Sequence, residues 1–131
     1  MPARFPQAVP EIPVRDVAKA AEYYVKSLGF QLDWHSEEHG IAGISHGDCR
    51  MFLMYAPGAP VKVWLNLESK QEVDELYDRW LSSGASVLSR PEDKPWNLRE
   101  FTVADLDGNQ LRVFYDFTWE LRQQPAASSR T

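Results

Sequence analysis

The sequence predicts an α+β fold made of two βαβββ modules, and three observations carry that prediction. Strand-like runs and one amphipathic helix follow one another in the same order twice. The segment 56–60, APGAP, separates the two series with two prolines and a glycine. Each half shares a strand, a Tyr-bearing helix and a glycine stop, recurring at roughly 53–55 residues. A repeat that occurs only twice is not a solenoid. It points instead to two modules, about 7–57 and 61–117, whose sheets form a curved, cup-like mixed sheet around a groove. One domain over 1–120 is expected, with a flexible C-terminal tail over 121–131.

Each element has a local cause. Residues 8–14 read as a strand, but Pro10 and Pro13 lack backbone donors, which suits an edge or exchanged position. Asp16 is a good N-cap for a helix carrying Val17, Ala20, Ala21, Tyr24 and Leu28 on one face, and Gly29 ends it. Short strands are expected over 30–36, 40–46 and 49–55, with turns at 37–40 and 46–48.

The second module opens with a strand over 61–67. Its helix begins with a capping box, Ser69 and Glu72, buries Val73, Leu76, Tyr77, Trp80 and Leu81, and closes at Gly84. Strands near 86–88, 99–105 and 110–116 follow, the last two joined by the Asp107-Gly108-Asn109 turn. From Gln123 onward the composition is that of a disordered tail.

Composition narrows the function classes. A net charge of −5 disfavours nucleic acid, which needs clustered Lys and Arg, and favours cationic small molecules through steering. No apolar run is long enough for a membrane span, and no secretory signal is expected. A single cysteine, Cys49, excludes an internal disulfide framework and fits a reducing cytoplasm. Five Trp supply flat rings on which a ligand can stack. No Gly-Xaa-Ser-Xaa-Gly elbow or phosphate-cradling loop is present.

Alternation assigns faces. In 61–67, Lys62, Trp64 and Asn66 share one side, while Val63, Leu65 and Leu67 share the side expected to face the helices. Glu100 and Thr102 oppose Phe101 and Val103; Arg112 and Phe114 oppose Leu111 and Val113. Glu11 lies opposite Ile12 and Val14. The expectation is a charged cluster of Glu11, Lys62, Glu100 and Arg112 in the groove, since buried charges persist only when paired.

Several stretches, in order, carry a family resemblance: AVP at 8–10 with VRDV at 14–17, LGF at 28–30, and GIAGI at 40–44. Further on come DELY at 74–77, PW at 95–96, REF at 99–101 and DGN at 107–109. With these the chain resembles the vicinal-oxygen-chelate superfamily (glyoxalase/bleomycin-resistance/dioxygenase), and within it the bleomycin-resistance proteins. The resemblance implies a homodimer with eight-stranded cups, the first strand being a candidate for exchange between subunits. It also implies a ligand held at the dimer interface and not modified. Metalloenzymes of the superfamily place His or Glu ligands on first and last strands. The corresponding positions here carry Val9, Lys62 and Arg112, so neither a metal nor another cofactor is expected.

The resemblance makes Trp64 and Trp96 ligand-lining tryptophans, with Trp34 and Phe52 at further aromatic positions. Asp33, with Glu37 and Glu38, would draw a cationic tail to the rim. His39 departs from the pattern, which usually has Phe there. The expected ligand-binding set is thus Asp33, Trp34, His39, Phe52, Lys62, Trp64, Asn66, Trp96, Glu100 and Arg112. The expected function is metal-free binding of a bulky aromatic or cationic compound. The alternative is a lyase, isomerase or dioxygenase of this fold with an atypical metal or a proton-transfer site based on Glu100.

Overall fold

A computed structural model describes residues 3–123. Two four-stranded mixed sheets, with helices on one side, give the expected α+β architecture. The first module holds β1 (Glu11–Val14), α1 (Val17–Lys26), β2 (Gln31–Ser36), β3 (Ile41–His46) and β4 (Cys49–Tyr55). The second holds β5 (Lys62–Asn66), α2 (Lys70–Ser82), β6 (Ser86–Asp93), β7 (Leu98–Ala104) and β8 (Gln110–Asp116). The chain then adds α3 (Thr118–Gln123).

Strand order is β1-β4-β3-β2 in one sheet and β5-β8-β7-β6 in the other, so the duplicated sequence gives duplicated topology. β1 pairs only with β4, in parallel, and the prolines are accommodated because this is an edge. Asp16 caps α1 through Lys19 N, and Ser69 caps α2 through Glu72 N. The reciprocal half of the expected capping box shifts by one residue: Glu72 Oε1 accepts from Glu68 N at 2.8 Å, not from Ser69 N.

One hydrophobic core serves both modules. Ile12, Ile44, Met51 and Leu53 from one sheet and Phe101, Val103, Leu111 and Val113 from the other turn toward Tyr24, Val73 and Trp80 on the helices. Trp80 Nε1 also donates to Leu28 O, tying α2 to the end of α1.

The DGN turn is the second tie. Asn109, fully buried, donates from Nδ2 to Pro13 O at 2.8 Å and to Asp105 Oδ2 at 2.9 Å, while its Oδ1 accepts from Val61 N at 2.9 Å. That amide therefore joins the end of β1 to the residue that precedes β5. Gly108, at φ 83°, makes the turn possible. Asp107 accepts from Arg15 N and Nε, and Tyr24 donates to Asp105. Burial and the Asp105 charge beside it hold the Tyr24 phenol well above its ordinary pKa.

Three expectations need correction. Leu81 is half exposed, because α2 turns it away from the stripe formed by Val73, Leu76 and Trp80. β6 runs to Asp93, beyond the expected 86–88, and its Pro91 is tolerated because this is an edge strand with register shifts. α3 was not expected, and it takes up 121–123 of the segment assigned to a flexible tail. It is held by Tyr115, which donates to Glu120 at 2.6 Å and accepts from Trp119 Nε1. The rest of that segment lies outside the described residues. No described helix is long and apolar enough to cross a membrane.

Candidate functional site

The sheet faces turned away from the helices carry nearly all the expected site residues, but they gather in two groups. On the second module, β5, β8 and β7 place Trp64, Arg112 and Thr102 in one row and Asn66, Phe114 and Glu100 in the next. Arg112 Cζ lies 4.6 Å from the Trp64 ring centroid, and Phe114 meets the same indole edge-on at 5.6 Å. Arg112 Nη2 donates to Glu100 Oε1 at 3.3 Å, and Trp96 Nε1 donates to Glu100 Oε2 at 3.0 Å.

Glu100 is only 3% exposed, so this carboxylate is sealed beneath the groups it binds, whereas Trp64 and Trp96 stay 47% and 58% exposed. The arrangement is a rigid polar base with two presented indoles. Trp96 sits in the β6–β7 connection, where Asn97 adopts φ 69°, a conformation Asn tolerates better than most residues.

The expected four-member charged cluster does not form. Arg112 and Glu100 pair, but Lys62 is exposed and makes no ion pair among the described residues. Glu11 lies on the other sheet, opposite Phe52. The physical reason is topological: β1 and β5 belong to separate sheets, so alternation put these residues on matching faces without bringing them together. Asn66 is exposed, and its amide donates to Leu67 O at 2.7 Å.

On the first module, Trp34, Gly43, Phe52 and Glu11 stand in register across β2, β3, β4 and β1. Trp34 meets Phe52 edge-on at 5.4 Å. Its indole lies where a side chain on Gly43 would stand; a Cβ there would be 2.5 Å from Trp34 Cε2. Gly43 has no positive φ, so space rather than backbone freedom requires the glycine. Gly43→Ala is expected to expel the ring or strain the strand, costing about 1–3 kcal/mol. Unchanged Trp34 fluorescence and stability in that variant would contradict this.

Asp33, at a register shift of β2, accepts from Ser45 Oγ at 3.1 Å. His39 is placed elsewhere: its Nδ1 is 2.8 Å from Ser36 Oγ, and it lines a surface pocket with Asp16, Glu37 and Tyr55 near the start of α1. Among the described residues no three His, Cys, Asp or Glu side chains converge as a metal-binding group.

Sequence reading missed one feature, a cavity of about 790 Å³ at the junction of the modules. Phe30, His46 and Cys49 line one side, and Leu65, Trp80 and Val113 the other. Only the pairing of modules creates it, so no local pattern announces it. Burial, reinforced by the Arg79 charge, lowers the His46 pKa, and burial raises that of the Cys49 thiol.

With the folded His46 pKa below its unfolded value, the unfolded chain binds more protons between the two. Stability is therefore expected to fall as pH drops below about 6.5. Urea midpoints measured between about pH 7.5 and 5.5 should show this slope, and His46→Gln should flatten it.

Residues 4–113 match the Glyoxalase/Bleomycin resistance protein/Dioxygenase superfamily. No curated protein sequence matches the chain. Among solved structures, a bleomycin-binding protein from bleomycin-producing Streptomyces verticillus, complexed with copper(II)-bleomycin, is similar at TM-score 0.70 and 23% identity, covering 85% of this chain and 96% of its own. A bleomycin-binding protein complexed with bleomycin is similar at TM-score 0.69 and 26% identity, covering 85% and 98%. TioX from Micromonospora sp. ML1 is similar at TM-score 0.71 and 22% identity, covering 84% and 98%. By its matched residues, its duplicated modules and its strand order, the chain belongs to the glyoxalase/bleomycin resistance protein/dioxygenase superfamily.

Proposed function

We propose that this protein binds a bulky aromatic or cationic compound and sequesters it unmodified, without a metal, in a crevice between two copies of the chain. The cytoplasm is the proposed compartment. The observation that supports this reading best is the pair of exposed indoles, Trp64 and Trp96, braced by Arg112 and the buried Glu100. Immobile aromatic walls lose little entropy when a flat ligand stacks on them. The bleomycin-binding neighbours add support for a small-molecule ligand.

The enzymatic alternative would use Glu100 as a proton-transfer base. Both of its oxygens already accept hydrogen bonds and it is buried, which weighs against that role. Trp64, Trp96, Asn66, Lys62 and Arg112 on one module, with Asp33, Trp34 and Phe52 on the other, are the proposed contact residues.

The test is a titration of the purified protein with metal-free and copper-loaded bleomycin, read by calorimetry and Trp fluorescence, with metal content and oligomeric state measured on the same sample. Micromolar or tighter binding near one ligand per chain, in a dimer, is the expected result. Absence of heat and quenching would remove bleomycin as a ligand, and a stoichiometric metal would favour the enzyme.

A further inference from the structure

One π face of Trp64 is already in use. The Arg112 guanidinium sits 4.6 Å from the ring centroid, within the roughly 6 Å reach of a cation–π contact. A ring holding a cation on one face offers less negative potential to a second cation on the other. The outer face of Trp64, on an indole that is nearly half exposed, is thus suited to a neutral or electron-rich plane.

The carboxylates of this sheet face each hold a hydrogen bond. Both oxygens of Glu100 accept hydrogen bonds. Glu92, its neighbour across β6, accepts from Lys94 Nζ at 2.7 Å. Asp116, at the end of β8, accepts from Thr118 N at the start of α3. The cation beside Trp64 is unpaired: Lys62 lies on the same strand and face as Trp64, about 7 Å away along the chain, exposed and without an ion pair among the described residues. Arg112 Nε is buried with no acceptor.

We propose that the second-module face selects a planar aromatic ring system bearing an anionic group, with the ring on the outer face of Trp64 and the acid at Lys62. It discriminates against cationic analogues of the same shape. This rests on the binding function proposed above and fixes the chemical class of its ligand. It also opposes the sign suggested by the net charge of −5. Distant surface charges are screened beyond about 8 Å at physiological ionic strength, whereas Lys62 stands two residues from Trp64 on the same strand face.

Three probes with one ring test this in the full chain: 1-naphthylacetate, 1-naphthalenemethanol and 1-naphthylmethylammonium, titrated by calorimetry and Trp fluorescence. The anion is expected to bind about tenfold tighter than the cation, with the alcohol between them, and added salt should narrow the gap. Lys62→Met should bring the anion to the affinity of the alcohol without moving the urea midpoint. Trp64→Leu should abolish binding of all three. Equal or tighter binding of the cation overturns the charge assignment while leaving the binding function intact. Binding that survives Trp64→Leu overturns the location. No binding of any probe overturns the selectivity, and the bleomycin titration then decides the binding function separately.

Discussion

Arg112→Met should lower the unfolding free energy by about 3 kcal/mol, equivalent to roughly 10 °C in Tm for a chain of this size. The loss comes from the residue left behind. Glu100 is 3% exposed, and without Arg112 its charge keeps only the Trp96 indole N–H. The estimate sits at the low end for a broken buried pair because the Arg112 side chain retains 28% exposure, which lets water reach the site. The double variant Glu100→Gln with Arg112→Met should recover most of the loss, since a neutral amide still accepts from Trp96 without a stranded charge. Urea unfolding of the two singles and the double closes the thermodynamic cycle. Simple additivity of the single losses would show that the two side chains are not energetically coupled.

Asn109→Ala should cost a similar amount, about 3 kcal/mol, for a different reason. The alanine orphans Val61 N and Pro13 O, and Asp105 loses one donor. No water can substitute without a rearrangement, because Asn109 is fully buried. Asn109→Asp is the sharper probe. It preserves shape and the contact with Val61 N, but sets a carboxylate oxygen against Pro13 O and the Asp105 carboxylate. Its loss at neutral pH should exceed that of alanine and shrink as pH falls, because the folded state then favours the protonated form. A pH-independent loss, or an aspartate milder than alanine, would contradict the bridging role given to the amide.

Much of the fold was legible because its signals are local. Asp16 and Ser69 cap their helices as read, Gly29 and Gly84 adopt positive φ beyond the helix ends, and the hairpin at Asp107–Asn109 forms. Alternation placed Lys62, Trp64, Glu100 and Arg112 on the face away from the helices. Departures occur where tertiary context decides. The strand expected near 86–88 extends to Asp93 as an edge strand, and α3 depends on Tyr115, which holds both Trp119 and Glu120. The site was legible as a set of residues but not as a set of distances. Period-two patterning says which side of a sheet a residue occupies and nothing about which sheet lies nearby. Glu11 and Lys62 were therefore grouped with a pair they do not join, while the cavity between Phe30 and Leu65 left no trace in the sequence.

The parallel pairing of β1 with β4, and of β5 with β8, bears on the order of folding. In each module the ladder that completes the sheet joins its first strand to its last. The β2–β3–β4 and β6–β7–β8 meanders close short loops and can form early, whereas β1 and β5 need nearly a whole module before a partner exists. During synthesis β1 is thus made first and paired late, an interval in which an exposed strand can recruit another chain. Pro10 and Pro13 interrupt its row of donors, which makes it a poor template for aggregation while it waits.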